Sequence, residues 1–148
     1  MGAIPGLTIL ASGCTERLGV ISFNIEDLHY NLASTLLNDR FGIQMRGGCA
    51  CAGTYGHYLL EISRRKSKEI AQRVDEGDWS TKVGFVRLSI HPIMADDEIR
   101  FITTTLKELA AHFREWQKDY SYNAKTNEFS NRKRKDLGRR PDDSLRTS

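Results

Sequence analysis

From Asp96 to Trp116 the apolar residues Ile99, Ile102, Leu106, Leu109, Phe113 and Trp116 recur at intervals of three and four. That spacing places them on one face of an α-helix over about five turns, and such a helix is stable only if the face is laid on other elements. Asp96 is of a residue type that caps helices and marks the expected start. Strands supply the other surface. Leu18–Ile25 is β-branched and aromatic, and Phe85–Ile90 alternates, with Val86, Leu88 and Ile90 on one side and Phe85, Arg87 and Ser89 on the other. Ile43 and Met45 alternate with Gln44 and Arg46 in a third, short strand. Leu28, Leu32, Leu36 and Leu37 predict a helix over 26–40, begun near Asn24 and Asp27 and stopped at Gly42. Further helices are expected over 55–62 and 63–76, the second ended by Gly77 and Asp78. The order reads as an α/β sandwich, a small sheet with helices packed on one face.

Composition narrows the class. The 148 residues suffice for one domain with its own core. No apolar run approaches the roughly 18 residues of a membrane span, and Met1–Leu10 has no basic segment of the kind that opens a signal peptide. The cytoplasm is therefore the expected compartment. A net charge of +3 raises the question of nucleic acid, but residues 131–148 alone carry +4, so the first 130 sum to −1. A near-neutral body argues against a nucleic-acid face, and residues 121–148, polar and finally basic, read as a disordered tail after a domain spanning 1–120. The three cysteines at 14, 49 and 51 are odd in number in a chain with no secretory signal, which argues against a disulfide framework, and the Cys49–Cys51 pair has no second Cys/His pair at zinc spacing.

Chemistry concentrates in Phe41-Gly-Ile-Gln-Met-Arg-Gly-Gly-Cys-Ala-Cys-Ala-Gly-Thr-Tyr-Gly-His57. A strand ends at Arg46, two glycines allow a turn, and Cys49 and Cys51 follow at an expected helix start, where backbone N–H groups and the helix dipole favour a thiolate. Arg46 adds positive charge and a planar fork for a carboxylate. A nucleophilic thiolate beside a carboxylate-binding arginine suits reaction on an amino acid. A Gly-rich turn with two half-buried cysteines acting as small hydrophobes accounts for the same residues.

The run Arg46–Cys51 resembles the R-x-G-H-H-C-A loop of group-II cysteine desulfurases and selenocysteine lyases, and more closely the R-x-G-C-x-C loop of molybdenum-cofactor sulfurases. Around it, Ile9-Leu10, Val20-Ile-Ser-Phe23, Asn38–Ile43 and Val86–Pro92 before a final helix occur in the order found in the small C-terminal domain of class-V aminotransferase-like enzymes. The resemblance spans residues 4–120. It implies a small, mostly antiparallel sheet, pyridoxal phosphate as cofactor, a small amino-acid substrate, a homodimer at full length and a protein that accepts sulfur. It places Cys51 on the persulfide-forming cysteine, with Cys49 beside it, Arg46 on the arginine that grips the substrate carboxylate, and Arg87 on a strand near the active site.

The chain departs from that pattern at two points. Cys49 and Ala50 stand where desulfurases carry histidines. The lysine that holds the cofactor belongs to a large domain that would precede Met1, and no lysine here has its context, so this chain alone is expected to be inactive. The resemblance therefore implies the C-terminal portion of a desulfurase-like enzyme that takes sulfur from L-cysteine. Two alternatives stay open: an aminotransferase or lyase small domain in which the cysteines are bystanders, and a non-catalytic scaffold module. Arg87 is equally explained by a salt bridge to a helix carboxylate. His57 reads as packed, His91 as turn chemistry, His29 as a surface residue, and Trp79 and Trp116 as packing.

Overall fold

The structure is a computed structural model that describes residues 4–13, 16, 18–48, 60, 62–80 and 82–134. In chain order its elements are β1 (Leu7–Ile9), β2 (Val20–Ile25), α1 (Tyr30–Phe41), β3 (Arg46–Gly48), α2 (Arg64–Asp75), β4 (Phe85–Ser89), α3 (Asp96–Trp116), β5 (Tyr120–Asn123) and β6 (Glu128–Asn131). Single 3-10 turns follow α3 at Gln117–Asp119 and β6 at Arg132–Arg134.

Alternation in the strands decides which face of the sheet is covered. The first four strands form an antiparallel sheet in the order β1-β2-β4-β3. Its register sets Ile21 against Leu88 and Phe23 against Val86 on one face. That face meets Leu32, Leu36 and Leu37 of α1 and Ile102, Leu106, Leu109 and Phe113 of α3 in one buried cluster. Leu36, Leu37 and Leu109 are fully buried, and each Leu buried in this way contributes about 1.5–3 kcal/mol. The expected mixed α/β architecture is the observed one, a small antiparallel sheet under helices with a long helix near its end. Phe85, on the opposite face, is also buried but outside the main cluster.

Several boundaries differ from the sequence reading. The first helix begins at Tyr30 rather than 26, because Asp27 has a φ of 61° and Leu28 bridges back to Ile25. His29 is then the cap, its Nδ1 accepting the Asn31 N–H at 3.2 Å. At the other end Gly42, with φ 68°, turns the chain so that the Ile43 N–H reaches the Leu37 carbonyl. The third strand is Arg46–Gly48, not 43–46: pairing with β4 begins only at Arg46, and Ile43 and Met45 instead pack against the core. Ala95, not Asp96, caps α3. It has no side-chain acceptor, and Glu98 reaches back to accept the Ala95 N–H at 2.8 Å. Ser63 caps α2, accepting the Lys66 N–H. Of the helix expected over 55–62, only Leu60 and Ile62 are described, and neither is helical.

The largest difference lies after residue 120. Polarity there suggests a tail, but Tyr120–Asn123 and Glu128–Asn131 pair as a hairpin. Tyr120, Tyr122 and Phe129 fall on one of its faces; Tyr122 and Phe129 meet His29 at the start of α1, and Tyr120 donates to Asp39 near its end. Asn127 is the pin. It is buried with φ 57°, donates to Tyr30 Oη at 2.8 Å, accepts from Tyr122 Oη at 2.9 Å, and offers its carbonyl to Asn31 Nδ2. Residues 135–148 of the expected tail lie outside the described residues.

Candidate functional site

β3 and β4 carry the two arginines singled out by the sequence. The register sets Arg46 directly opposite Arg87, and Ser22 of β2 opposite Arg87 on its other side, so the three form a row across the face away from α1 and α3. Like charges directly opposite one another in a sheet repel. Among the described residues neither guanidinium has an ion-pair or side-chain hydrogen-bond partner. The helix-carboxylate salt bridge considered for Arg87 is therefore not formed there. Two unpartnered forks on one face are electrostatically suited to an anion shared between them, a carboxylate above all.

β3 is also an edge strand, and along its free side runs a cleft of ≈ 630 Å³. Asn31, Ser34 and Thr35 of α1 line it, Met45, Arg46 and Gly47 border it on the sheet side, and the hairpin contributes Asn123, Thr126 and Glu128–Ser130. Arg46 belongs to both the arginine row and the cleft, whereas Arg87 belongs only to the row. A second cleft of ≈ 550 Å³, more apolar, lies among Ile43, Leu88, Met94, Phe101 and Ile102 and holds none of the expected site residues. Among the described residues, no lysine lines either cleft; the second also carries Asp97 and Glu98. No group of three His, Cys, Asp or Glu side chains stands ready for a metal among the described residues.

Cys14, Cys49, Cys51 and His57 lie outside the described residues. His91 is exposed and its Nδ1 accepts the Ile93 N–H, the turn role expected of it. Trp116 packs against Phe41 and His112 with the Arg40 guanidinium over its ring, and Lys82 Nζ sits over Trp79. His29 is not the surface residue expected. Its ring stacks on Tyr30 at 4.3 Å and meets Phe129 and Tyr122 at 5.2 and 5.5 Å. Because Nδ1 accepts a hydrogen bond, the neutral ring carries its proton on Nε2, which is buried and has no partner among the described residues.

Burial holds the His29 pKa below its ordinary value of 6.5. In the unfolded chain His29 takes up a proton near that ordinary value, whereas the folded ring resists it. Stability is thus complete above about pH 6.5 and falls as pH drops toward the folded pKa. The urea midpoint should be lower at about pH 5.5 than at about pH 7.5, and His29→Asn should flatten that slope. Equal slopes in both proteins would show that His29 does not couple to folding.

The hairpin residues of the cleft are not found by motif. The signal available for them is the alternation of Tyr120 and Tyr122 with Phe129 around the turn-forming Asn123–Asn127. Comparison with protein families matches residues 1–102 to a family described as aminotransferase class-V, which covers β1–β4, both arginines and the first part of α3. No curated protein matches the chain.

Proposed function

The chain belongs to the aminotransferase class-V family, and from that premise we propose that it is the small-domain, C-terminal portion of a pyridoxal-phosphate-dependent cysteine desulfurase. The observation that carries this reading is the Arg46–Arg87 row. Arg46 binds the substrate carboxylate, and Arg87 beside it raises the local positive potential and favours the ionised acid. Cys49 and Cys51 follow β3 directly in the chain. Cys51 is three residues past Gly48, a length that spans at most about 11 Å, so the nucleophile is tethered to the carboxylate-binding strand.

The cofactor, when bound, supplies the electron sink for bond breaking in the amino acid. The part assigned to this chain is binding and sulfur capture. The Cys51 thiolate attacks the substrate sulfur and an S–S bond forms. The C–S bond breaks with its electron pair going to carbon, a proton replaces the sulfur, and alanine leaves. The persulfide then passes to an acceptor protein. A second reading, a class-V aminotransferase or lyase without sulfur chemistry, is favoured by Cys49-Ala50 standing where desulfurases carry histidines.

Arg46→Lys in the intact enzyme tests the carboxylate role. Lysine keeps the charge but loses the two-pronged donor. The specificity constant should fall by about tenfold or more, equivalent to at least about 1.4 kcal/mol. Unchanged kinetics would remove Arg46 from the site.

A further inference from the structure

Beyond the residues matched to the family, β5 and β6 form a two-stranded sheet of their own, separate from the four-stranded one. The two ends of this hairpin are held differently. At the base, Tyr120 is buried in the main core and donates to Asp39 at 2.9 Å, and Lys133 pairs with Asp119 at 3.1 Å. Toward the tip, Tyr122 and Phe129 lie against the His29 ring and Asn127 bonds to Tyr30 and Asn31. The Ala124 carbonyl there accepts the Trp79 N–H at 3.1 Å. The hairpin also walls the cleft beside β3 through Asn123, Thr126 and Glu128–Ser130.

His29 sits under the tip in a way that only its neutral form fits. Nδ1 accepts the Asn31 N–H, so the neutral ring keeps its proton on Nε2, which is buried without a partner among the described residues. A second proton must go to Nδ1. There it would face the Asn31 N–H, itself a donor, and α1 would lose its cap. It would also set a positive charge at the positive end of the helix dipole. The charged groups nearby are engaged or turned elsewhere. Asp27 pairs with Arg114 at 2.8 Å, and Asp78 pairs with Arg73 and accepts the Ser80 N–H. Glu128 falls on the hairpin face opposite Tyr122 and Phe129, and Lys125 is exposed at the turn. Tyr122, held above the ordinary phenol range by burial and by Asp78, stays neutral.

We propose that the hairpin is a pH-gated flap: its base stays fixed, and protonation of His29 lifts the Tyr122–Phe129 tip from α1 and opens that wall of the cleft. The docked tip requires a neutral ring, whereas the freed ring protonates near 6.5. Docking is therefore complete above that pH and weakens as pH falls. For a single proton the docking constant changes by at most about tenfold between about pH 7.5 and about pH 5.5.

The test is NMR on the full 148-residue chain at these two pH values. It reads the NOE between the His29 and Phe129 rings and the exchange protection of the Trp79 amide, corrected for intrinsic rate. At the lower pH the NOE should weaken and Trp79 protection should fall several-fold, up to about tenfold. The midpoint should coincide with titration of the His29 ring, and the β2–β4 ladder amides should keep their protection. His29→Phe leaves a ring for Tyr122 and Phe129 but takes no proton, so its Trp79 protection should be the same at both pH values. Equal loss of protection in the ladder amides would make the response global and overturn the flap. An unchanged Trp79 amide in the wild type would overturn it too, as would opening of His29→Phe at low pH. Tighter docking at low pH would mean that the aromatic rings attract the imidazolium, and the proposal would fall. The wild-type midpoint decides the matter even if His29→Phe fails to fold, since opening that does not follow the His29 titration refutes the gate.

Discussion

Gly84→Ala should destabilise the protein by about 2 kcal/mol or more, because an added carbon in a filled space forces backbone to move. A Cβ at this position would stand 2.8 Å from the Gly48 Cα and 2.8 Å from the Tyr30 ring. Neither neighbour can yield cheaply. Gly48 is the last residue of β3 and pairs with Phe85, and Tyr30 is buried and held by Asn127. The φ of Gly84 lies outside the left-handed region, so the demand is for space alone. Relief requires β3 to separate from β4, and that pair sets Arg46 opposite Arg87. On the proposed reading, loss of stability in urea should therefore be accompanied by loss of carboxylate binding at the arginine row. Gly13→Ala is the control: nothing lies within 4 Å of its added carbon, and the midpoint should correspond to a change within about 0.5 kcal/mol. A Gly84 variant as stable as the Gly13 variant would mean that β3 is not packed against Tyr30 as described.

The elements that sequence reveals are those whose signal is local. The face of α3 is written in the spacing from Ile99 to Trp116, and the alternation of Val86 and Leu88 gives the buried side of β4 before any partner is known. Arg46 is singled out by its chemistry beside the glycines, and Arg87 by the strand face it occupies together with the resemblance. Their direct opposition is not legible, because it depends on register between strands some 40 residues apart. The start of α1 is misread for a related reason. Asn24 and Asp27 are capping residue types, but the bridge from Leu28 to Ile25 holds that segment extended and passes the cap to His29.

The hairpin is the clearest case of long-range structure overriding composition. Tyr120, Tyr122 and Phe129 are three aromatics in a polar stretch, too few to form a core of their own. Tyr122 and Phe129 become structural because His29, more than 90 residues earlier, provides the ring they meet, whereas Tyr120 joins the main core and donates to Asp39. Glu128 could be identified as a cleft residue only after that contact was known.

On the proposed reading, Cys51→Ala in the intact enzyme should abolish sulfur release while leaving the cofactor absorbance intact, and Cys49→Ala should retain part of the activity. The argument is one of position along the chain. The resemblance puts Cys51, five residues after Arg46, on the persulfide-forming cysteine. It is also nearer than Cys49 to the helix start expected around Ala52–Tyr55, where free N–H groups and the dipole lower a thiol pKa most. Cys49 follows Gly48 at the end of β3 and gains less from that field. The same difference predicts that Cys51 alkylates faster than Cys49 or Cys14 at neutral pH, measured by mass spectrometry on the 148-residue chain without cofactor. A partial defect at Cys49 fits a sulfur passed between neighbouring thiols. Full activity in Cys51→Ala with loss in Cys49→Ala would reverse the two roles. Full sulfur release in both single variants and in the double variant would refute thiol-based sulfur capture in this loop, and the reading without sulfur chemistry would then best explain Arg46 and Arg87.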